Sequence, residues 1–333
     1  MTKQSYQHLT ADMLTKADAA SDFAEAVLIG LSEHPKRLPS QYFYDDAGSR
    51  YFQRITELED YYPTRVERQI IETHASDIVK PFKGRPVNVI DLGAGDGHKT
   101  AAVLDALLSS GQDVRYIPID ISEGAMKSVV SIVGERFPQL EIAGLVSEYL
   151  SGLRWIAQQD DRCNLVLFLG SNIGNFDKAR ARAFLRRLWN ALNHDDTALI
   201  GFDLKKDIEV LLHAYNDREG VTAAFNLNLL KRINTELGGN FDPDKFRHFA
   251  TYNVFTGAME SYLVSHETQT VRIEALQRDF RFDAWEPIHT EYSYKYLERD
   301  IDALSQSAHF KTVAKHYDPQ HWFCDALFRA DKQ

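Results

Sequence analysis

Cysteine is nearly absent from this 333-residue chain: Cys163 and Cys324 are the only two. Two cysteines in apolar, strand-like segments cannot build a disulfide framework, so a reducing compartment is expected. Long hydrophobic runs are missing as well. No stretch of 18 apolar residues occurs, and the opening segment MTKQSYQHLTADML lacks the charged-then-apolar pattern of a signal peptide. A soluble, cytoplasmic protein with no membrane partner is therefore expected. Basic residues are in deficit, with 38 Lys and Arg against 48 Asp and Glu and a formal charge of −10. Displacing phosphate counterions takes clustered Lys and Arg, so nucleic acid is not expected as a partner. Metal-ligand spacing is lacking too: the 12 histidines are scattered, with no H-E-x-x-H and no C-x-x-C.

What is present is a hydrophobic fraction of 44%, ample for a packed core. From Pro86 the pattern alternates strands with helices. Val87–Leu92, Val114–Ile121, Ile142–Val146, Leu165–Leu169 and Ala198–Leu204 read as strands. Lys99–Leu108, Glu123–Arg136 and Asp177–Leu192 read as helices between them. That rhythm predicts an α/β fold with a doubly wound, mostly parallel sheet covered on both faces. Between about 207 and 287 the rhythm breaks into helix and then strands. A helix near 299–305 and strands at 310–316 and 322–328 close the chain. The division read from this is residues 63–206 with 295–333 as the sheet domain, and 1–62 with 207–294 as a second α+β lobe.

Asp91-Leu92-Gly93-Ala94-Gly95-Asp96-Gly97-His98-Lys99-Thr100 leaves a strand and enters a helix. Glycines there let a ligand approach the backbone at the helix N-terminus. A phosphate loop needs Gly immediately before Lys-Thr, and a dinucleotide fingerprint also needs Gly at that position; both fail at His98. Acidic-x-Gly-x-Gly-x-Gly remains, and it looks like the first motif of S-adenosylmethionine-dependent methyltransferases. A structural turn is the other reading. Asp120 ends the second strand, where a carboxylate can accept from ribose hydroxyls or simply shape a turn. Glu148-Tyr149 follows the third strand, placed to hold adenine if the segment binds anything.

Several separated segments together narrow the reading. They are Leu38-Pro39-Ser40-Gln41-Tyr42-Phe43-Tyr44-Asp45, Tyr61-Tyr62-Pro63-Thr64-Arg65, and Phe168-Leu169-Gly170-Ser171-Asn172-Ile173-Gly174-Asn175. Gly220-Val221-Thr222-Ala223-Ala224-Phe225-Asn226 and Thr290-Glu291-Tyr292-Ser293-Tyr294-Lys295-Tyr296 complete the set. From about residue 25 to 330 the chain closely resembles the histidine Nα-methyltransferases of ergothioneine biosynthesis, which convert histidine to its trimethyl betaine, hercynine.

The resemblance implies a class I methyltransferase sheet, a substrate-binding lobe and S-adenosylmethionine as cofactor. It implies Gly93, Lys99, Asp120, Glu148 and Tyr149 on the cofactor side. On the acceptor side it implies Tyr44, Tyr61, Asn175 and Tyr215 around the amine and carboxylate, with Tyr44 and Asn175 nearest the chemistry, and Glu291 and Ser293 at the imidazole. A carboxylate accepts an imidazole N–H while a hydroxyl satisfies the other nitrogen. On residues alone, Glu291 and Ser293 read rather as a solvated strand face shared with His289 and Lys295. Two departures stand out. Ser261 occupies the place where the family suggests a methionine beside the imidazole, and Glu148-Tyr149 replaces Asp-Phe. The D/N-P-P-Y/F signature of nucleic-acid and protein-glutamine methyltransferases is missing, which favours a small amino-acid acceptor. A monomer is expected. The rival readings are another aromatic acceptor such as tryptophan or tyrosine, or a non-catalytic metabolite-binding relative.

Overall fold

Strand segments that are apolar over most of their length must be covered on both sides, and the computed structural model buries them so. Val87–Leu92, Cys163–Phe168 and Thr197–Asp203 are buried at every position. The structure describes residues 4–8, 16–95, 97–147, 149–156 and 161–332. The chain separates into two compact units. The first takes in Met1–Met13, Pro63–Lys205 and Tyr296–Gln333; the second takes in Leu14–Tyr62 and Lys206–Lys295.

The first unit is built on an eight-stranded sheet. Its spatial order is Gln4–His8, Glu141–Val146, Val114–Asp120, Val87–Leu92, Cys163–Phe168, Thr197–Asp203, Phe323–Ala330, Phe310–Tyr317. All run parallel except Phe323–Ala330, which is antiparallel to both neighbours. The order reverses between Val87–Leu92 and Cys163–Phe168. Ligands of doubly wound sheets bind outside the strand ends at such a switch point. Helices His98–Ser109, Glu123–Arg136 and Lys178–Ala191 fall where the hydropathy pattern puts them. The last turns its arginines outward and buries Phe184, Leu185 and Leu188. Both cysteines are buried in strands.

The strand Gln4–His8 corrects the sequence-based division, which gave all of residues 1–62 to the second lobe. It pairs in parallel with Glu141–Val146, from Gln4 opposite Ile142 to His8 opposite Val146. Its sequence QSYQH carries no apolar alternation. Backbone bonds hold it, together with Tyr6, whose hydroxyl donates to Glu123 at 3.0 Å. Hydropathy cannot register an edge strand of that kind.

The second unit has a four-stranded sheet in the order Lys36–Arg37, Pro287–Tyr294, Ala258–Ser265, Phe246–Asn253, and a hairpin of Gln269–Ile273 with Arg278–Phe282. Phe246–Asn253 was not foreseen as a strand. Its residues alternate buried and exposed around His248 and Arg247, too polar to register. Phe23, Val27, Phe43, Ile55, Phe225, Leu229, Ile233 and Ile288 share the apolar core. Polar contacts then fasten the family-like segments to one another. Asp45 caps the helix Asp46–Glu57 by accepting from the Gly48 N–H, and accepts from Asn228 Nδ2 at 2.8 Å. The Arg232 guanidinium donates to the Tyr42 carbonyl at 2.9 Å. Asp217 accepts from the Val221 and Thr222 N–H groups at the start of the helix Val221–Leu237. Buried Asn226 accepts from the Thr290 hydroxyl at 2.9 Å.

Candidate active site

In the first unit the glycine loop sits at the carboxyl end of Val87–Leu92, on the switch point. Gly93, Gly95 and Gly97 all take positive φ, at 73°, 59° and 72°. The helix begins at His98 with the Gly97 backbone as its N-cap. Asp91 anchors the loop from beneath. Its carboxylate accepts from Thr100 and, at 3.1 Å, from Tyr116. Burial pushes the Asp91 carboxyl up to about 6, against the pull of those two hydroxyls and Lys99.

The expected cofactor-side residues gather around this loop. The Gly93 N–H donates to the Ile119 carbonyl at 3.0 Å, which sets the loop beside Asp120. A Cβ on Gly93 would lie 2.6 Å from the Tyr149 hydroxyl, so the loop and Tyr149 are immediate neighbours. Asp120 Oδ1 accepts from the Ser122 N–H at 2.8 Å, and burial raises its carboxyl above the ordinary range. Glu148 lies outside the described residues. Asn175 ends the 3₁₀ turn Asn172–Asn175 and is partly exposed. Just before it Gly170 and Ser171 adopt φ of 77° and 55°, a backbone that a serine holds only at a cost of about 1–3 kcal/mol.

Lys99 is joined by a residue that sequence reasoning missed. Its ammonium pairs with Glu67, which is 0% exposed and also accepts from the Gly170 N–H at 2.7 and 2.9 Å. Burial works against the Lys99 charge, but Glu67 outweighs it and holds the ammonium above its ordinary value. Glu67 thus ties the helix Tyr62–Val79, the glycine-loop helix and the Leu169–Asn175 segment together. No local pattern announces it, because its partners come from two distant stretches of chain.

In the second unit the expected acceptor-side residues, all but Asn175, which belongs to the first unit, form one continuous set. The Tyr44 ring is edge-on to Phe52 at 5.5 Å and Phe225 at 5.7 Å. Phe52 meets Tyr61 at 6.3 Å, and Tyr61 meets Tyr215 at 6.5 Å. The Tyr215 hydroxyl donates to Ser293 Oγ at 2.7 Å. Ser261 faces Glu291 directly across the antiparallel pair, and its hydroxyl donates to the carboxylate at 3.5 Å. Burial pushes the Glu291 carboxyl up to about 7, with Lys295 and Ser261 opposing the rise.

The solvated-face alternative for these residues fails at two points. A register shift between His289 and Glu291 marks a β-bulge at Thr290. A bulge inverts the alternation beyond it, so His289 lies with Tyr262 and Tyr292, ring centroids 5.2 and 3.9 Å away, rather than with Glu291 and Ser293. Lys295 is 3% exposed and donates to both Ser293 and Tyr215, at 2.8 and 2.9 Å. It stood inside a recognised segment, and only the solvated-face alternative named it, since lysines are rarely buried. Of the other tyrosines in the family-like segments, Tyr62 is buried and Tyr42 packs on Phe23, whereas Tyr292 lies 37% exposed.

Among the described residues no group of His, Cys, Asp and Glu is arranged to hold a metal ion, and no helix is long and apolar enough to cross a membrane.

Comparison with known proteins adds to this geometry. A family model described as histidine-specific methyltransferase, SAM-dependent, matches residues 23–330. The histidine N-alpha-methyltransferase of Mycolicibacterium smegmatis is 36% identical over 315 residues, 95% of each chain. The Mycobacterium tuberculosis protein of the same name is 36% identical over 83% of this chain and 85% of its own. The L-tryptophan methyltransferase of Psilocybe serbica is 28% identical over 92% of each chain. The parallel sheet with one antiparallel strand near its edge is accordingly a class I methyltransferase fold. On the extent of these matches, the chain belongs to the histidine-specific, S-adenosylmethionine-dependent methyltransferases.

Proposed function

We propose that this protein methylates the α-amine of free L-histidine three times, giving hercynine. The observation that carries the reading is the polar wall of the second unit. An acceptor carboxylate, Glu291, and a hydroxyl, Ser293, lie on one strand face beside Tyr215, as an imidazole with two unlike nitrogens requires.

The cofactor residues fit S-adenosylmethionine. The glycine loop admits close approach of a ligand to the backbone, and among the described residues none but its chain neighbours comes within 4 Å of the Cβ position of Gly95. Asp120 supplies acceptors for ribose hydroxyls, Tyr149 borders the loop, and Lys99 offers a cation to an amino-acid carboxylate. Glu148 completes the expected set. When bound, S-adenosylmethionine supplies a methyl carbon already activated by a sulfonium, with S-adenosylhomocysteine as the leaving product. The protein then has to bind, align and keep the amine uncharged.

Asn175 binds the amino-acid head of the acceptor, with Tyr61 and Tyr215. Tyr44 orients the neutral amine through its hydroxyl, and its ring face tolerates the cation that grows with each methyl group. Each round after the first requires loss of one proton from the methylated ammonium to a tyrosine hydroxyl or to water. We read the protein as a cytoplasmic monomer.

The reading is tested by incubating the protein with S-adenosylmethionine and an equimolar mixture of the twenty amino acids, followed by mass spectrometry. Trimethylation confined to histidine supports it; transfer to another amino acid only, or no transfer, overturns it. A second acceptor class rests on Ser261. A small polar side chain stands where a methionine was expected, and one exchanged contact shifts discrimination by about 1–3 kcal/mol. Transfer to tryptophan or tyrosine would favour that reading. In calorimetry Glu291→Ala is expected to abolish most histidine affinity while sparing cofactor binding.

A further inference from the structure

Lys295 directly follows the strand Pro287–Tyr294, and its ammonium is buried within the second unit. Removing an ammonium from water costs several kcal/mol unless fixed partners repay it. The partners include two hydroxyls. Nζ donates to Ser293 Oγ at 2.8 Å and to the Tyr215 hydroxyl at 2.9 Å, and stands 4.5 Å above the Tyr215 ring. Tyr215 in turn donates its own proton to Ser293 Oγ at 2.7 Å.

A serine hydroxyl has one proton to donate and two lone pairs to accept with. At Ser293 both lone pairs are taken, one by Lys295 and one by Tyr215. Only its O–H proton remains for a ligand. Glu291, in its ionised form, can only accept. With Glu291 ionised, the two side chains on this face therefore have opposite polarity.

We propose that Lys295 is a positioning residue for acceptor recognition: by filling one lone pair of Ser293 and turning the Tyr215 proton onto the other, it makes Ser293 a dedicated donor. The Glu291–Ser293 pair then selects a ring with one N–H and one bare nitrogen. This rests on the reading that the acceptor ring meets Glu291 and Ser293. Neutral imidazole satisfies both groups. The indole of tryptophan offers an N–H and no bare ring nitrogen, which leaves the Ser293 proton without a partner.

The experiment is a double-mutant cycle of Lys295→Met and Ser293→Ala, read as kcat and KM for histidine and as the histidine-to-tryptophan ratio of kcat/KM. Cofactor affinity measured by calorimetry on each variant reports an intact fold. Lys295→Met is expected to raise the histidine KM about tenfold with a smaller change in kcat, and to lower the histidine-to-tryptophan ratio. Ser293→Ala is expected to do the same. In the double variant the second change adds little, because Lys295 acts through Ser293. Independent, multiplying losses overturn the proposal, as does an unchanged KM in Lys295→Met. An unchanged KM in Ser293→Ala instead sinks the underlying placement of the ring. Where Lys295→Met loses cofactor affinity, Lys295→Leu, which also lacks a donor, serves in the same cycle with the same two outcomes.

Discussion

Replacing Glu291 by Gln should make the protein more stable and worse at binding histidine, with the gain in stability growing as pH rises. The folded protein holds this carboxyl at about 7 against an ordinary 4.5, chiefly because burial disfavours the charge. A carboxyl raised on folding lends stability that is fully present below about 4.5 and is lost as pH climbs through about 7. Integrated over that window, ionising Glu291 costs about 3 kcal/mol at pH 8 and less than about 1 kcal/mol at pH 5. The side chain keeps partial access to water, so the observable difference between the two pH values is about 1–2 kcal/mol. Glutamine has nearly the same shape, and its amide can still meet the Ser261 hydroxyl.

Denaturant unfolding of the wild type and Glu291→Gln at pH 5 and pH 8 measures the effect. The variant should gain about 1–2 kcal/mol more at pH 8 than at pH 5. Titration with histidine on the same samples should show affinity reduced about tenfold at pH 8, since a charge-assisted bond becomes a neutral one. Wild-type histidine affinity should itself weaken as pH drops below about 7, where Glu291 takes up a proton and stops acting as a pure acceptor. A stability difference independent of pH would mean that the carboxylate is not held away from water. If histidine affinity were also unchanged, Glu291 would have no place in acceptor binding.

Three further outcomes follow from the geometry. Gly93→Ala sets a Cβ at positive φ and 2.6 Å from the Tyr149 hydroxyl, so calorimetry should show cofactor affinity reduced about tenfold or more, partly restored by adding Tyr149→Phe. Gly201→Ala would put a methyl group 2.2 Å from Glu67 Oε1 and 3.0 Å from the Phe323 ring inside a buried strand; unfolding should show a loss of about 1–3 kcal/mol. Asp217→Ala removes the carboxylate that accepts from Val221 and Thr222 N–H, which should cost about 1–2 kcal/mol and leave cofactor affinity alone.

How much of this was legible in advance depended on whether the signal was local. Val87–Leu92 and Glu123–Arg136 were readable to the residue because an apolar strand and an amphipathic helix write their period into consecutive positions. Gly93, Gly95 and Gly97 announced a loop for the same reason. Gln4–His8 and Phe246–Asn253 escaped because their pairing energy lies in backbone bonds, which leave no mark on hydropathy. Glu67 was invisible because its partners, Lys99 and the Gly170 N–H, lie far from it and from each other in the chain.

The acceptor wall shows how a single irregularity decides between two opposite readings. Strict alternation along His289, Glu291, Ser293 and Lys295 puts four polar side chains on one face, and such a face is most economically wet. The bulge at Thr290 removes His289 from that face, and the Thr290 hydroxyl bond to buried Asn226 fixes the bulge in place. With His289 gone, Glu291 stands opposite Ser261, and Ser293 opposite Met259, on one side of the sheet. Lys295 then sets its ammonium against Ser293 and Tyr215, where its charge also acts on Glu291. The Gly220–Asn226 and Thr290–Tyr296 segments are therefore one device: Asn226 in the first sets the backbone of the second, and that backbone decides which side chains can read a ring.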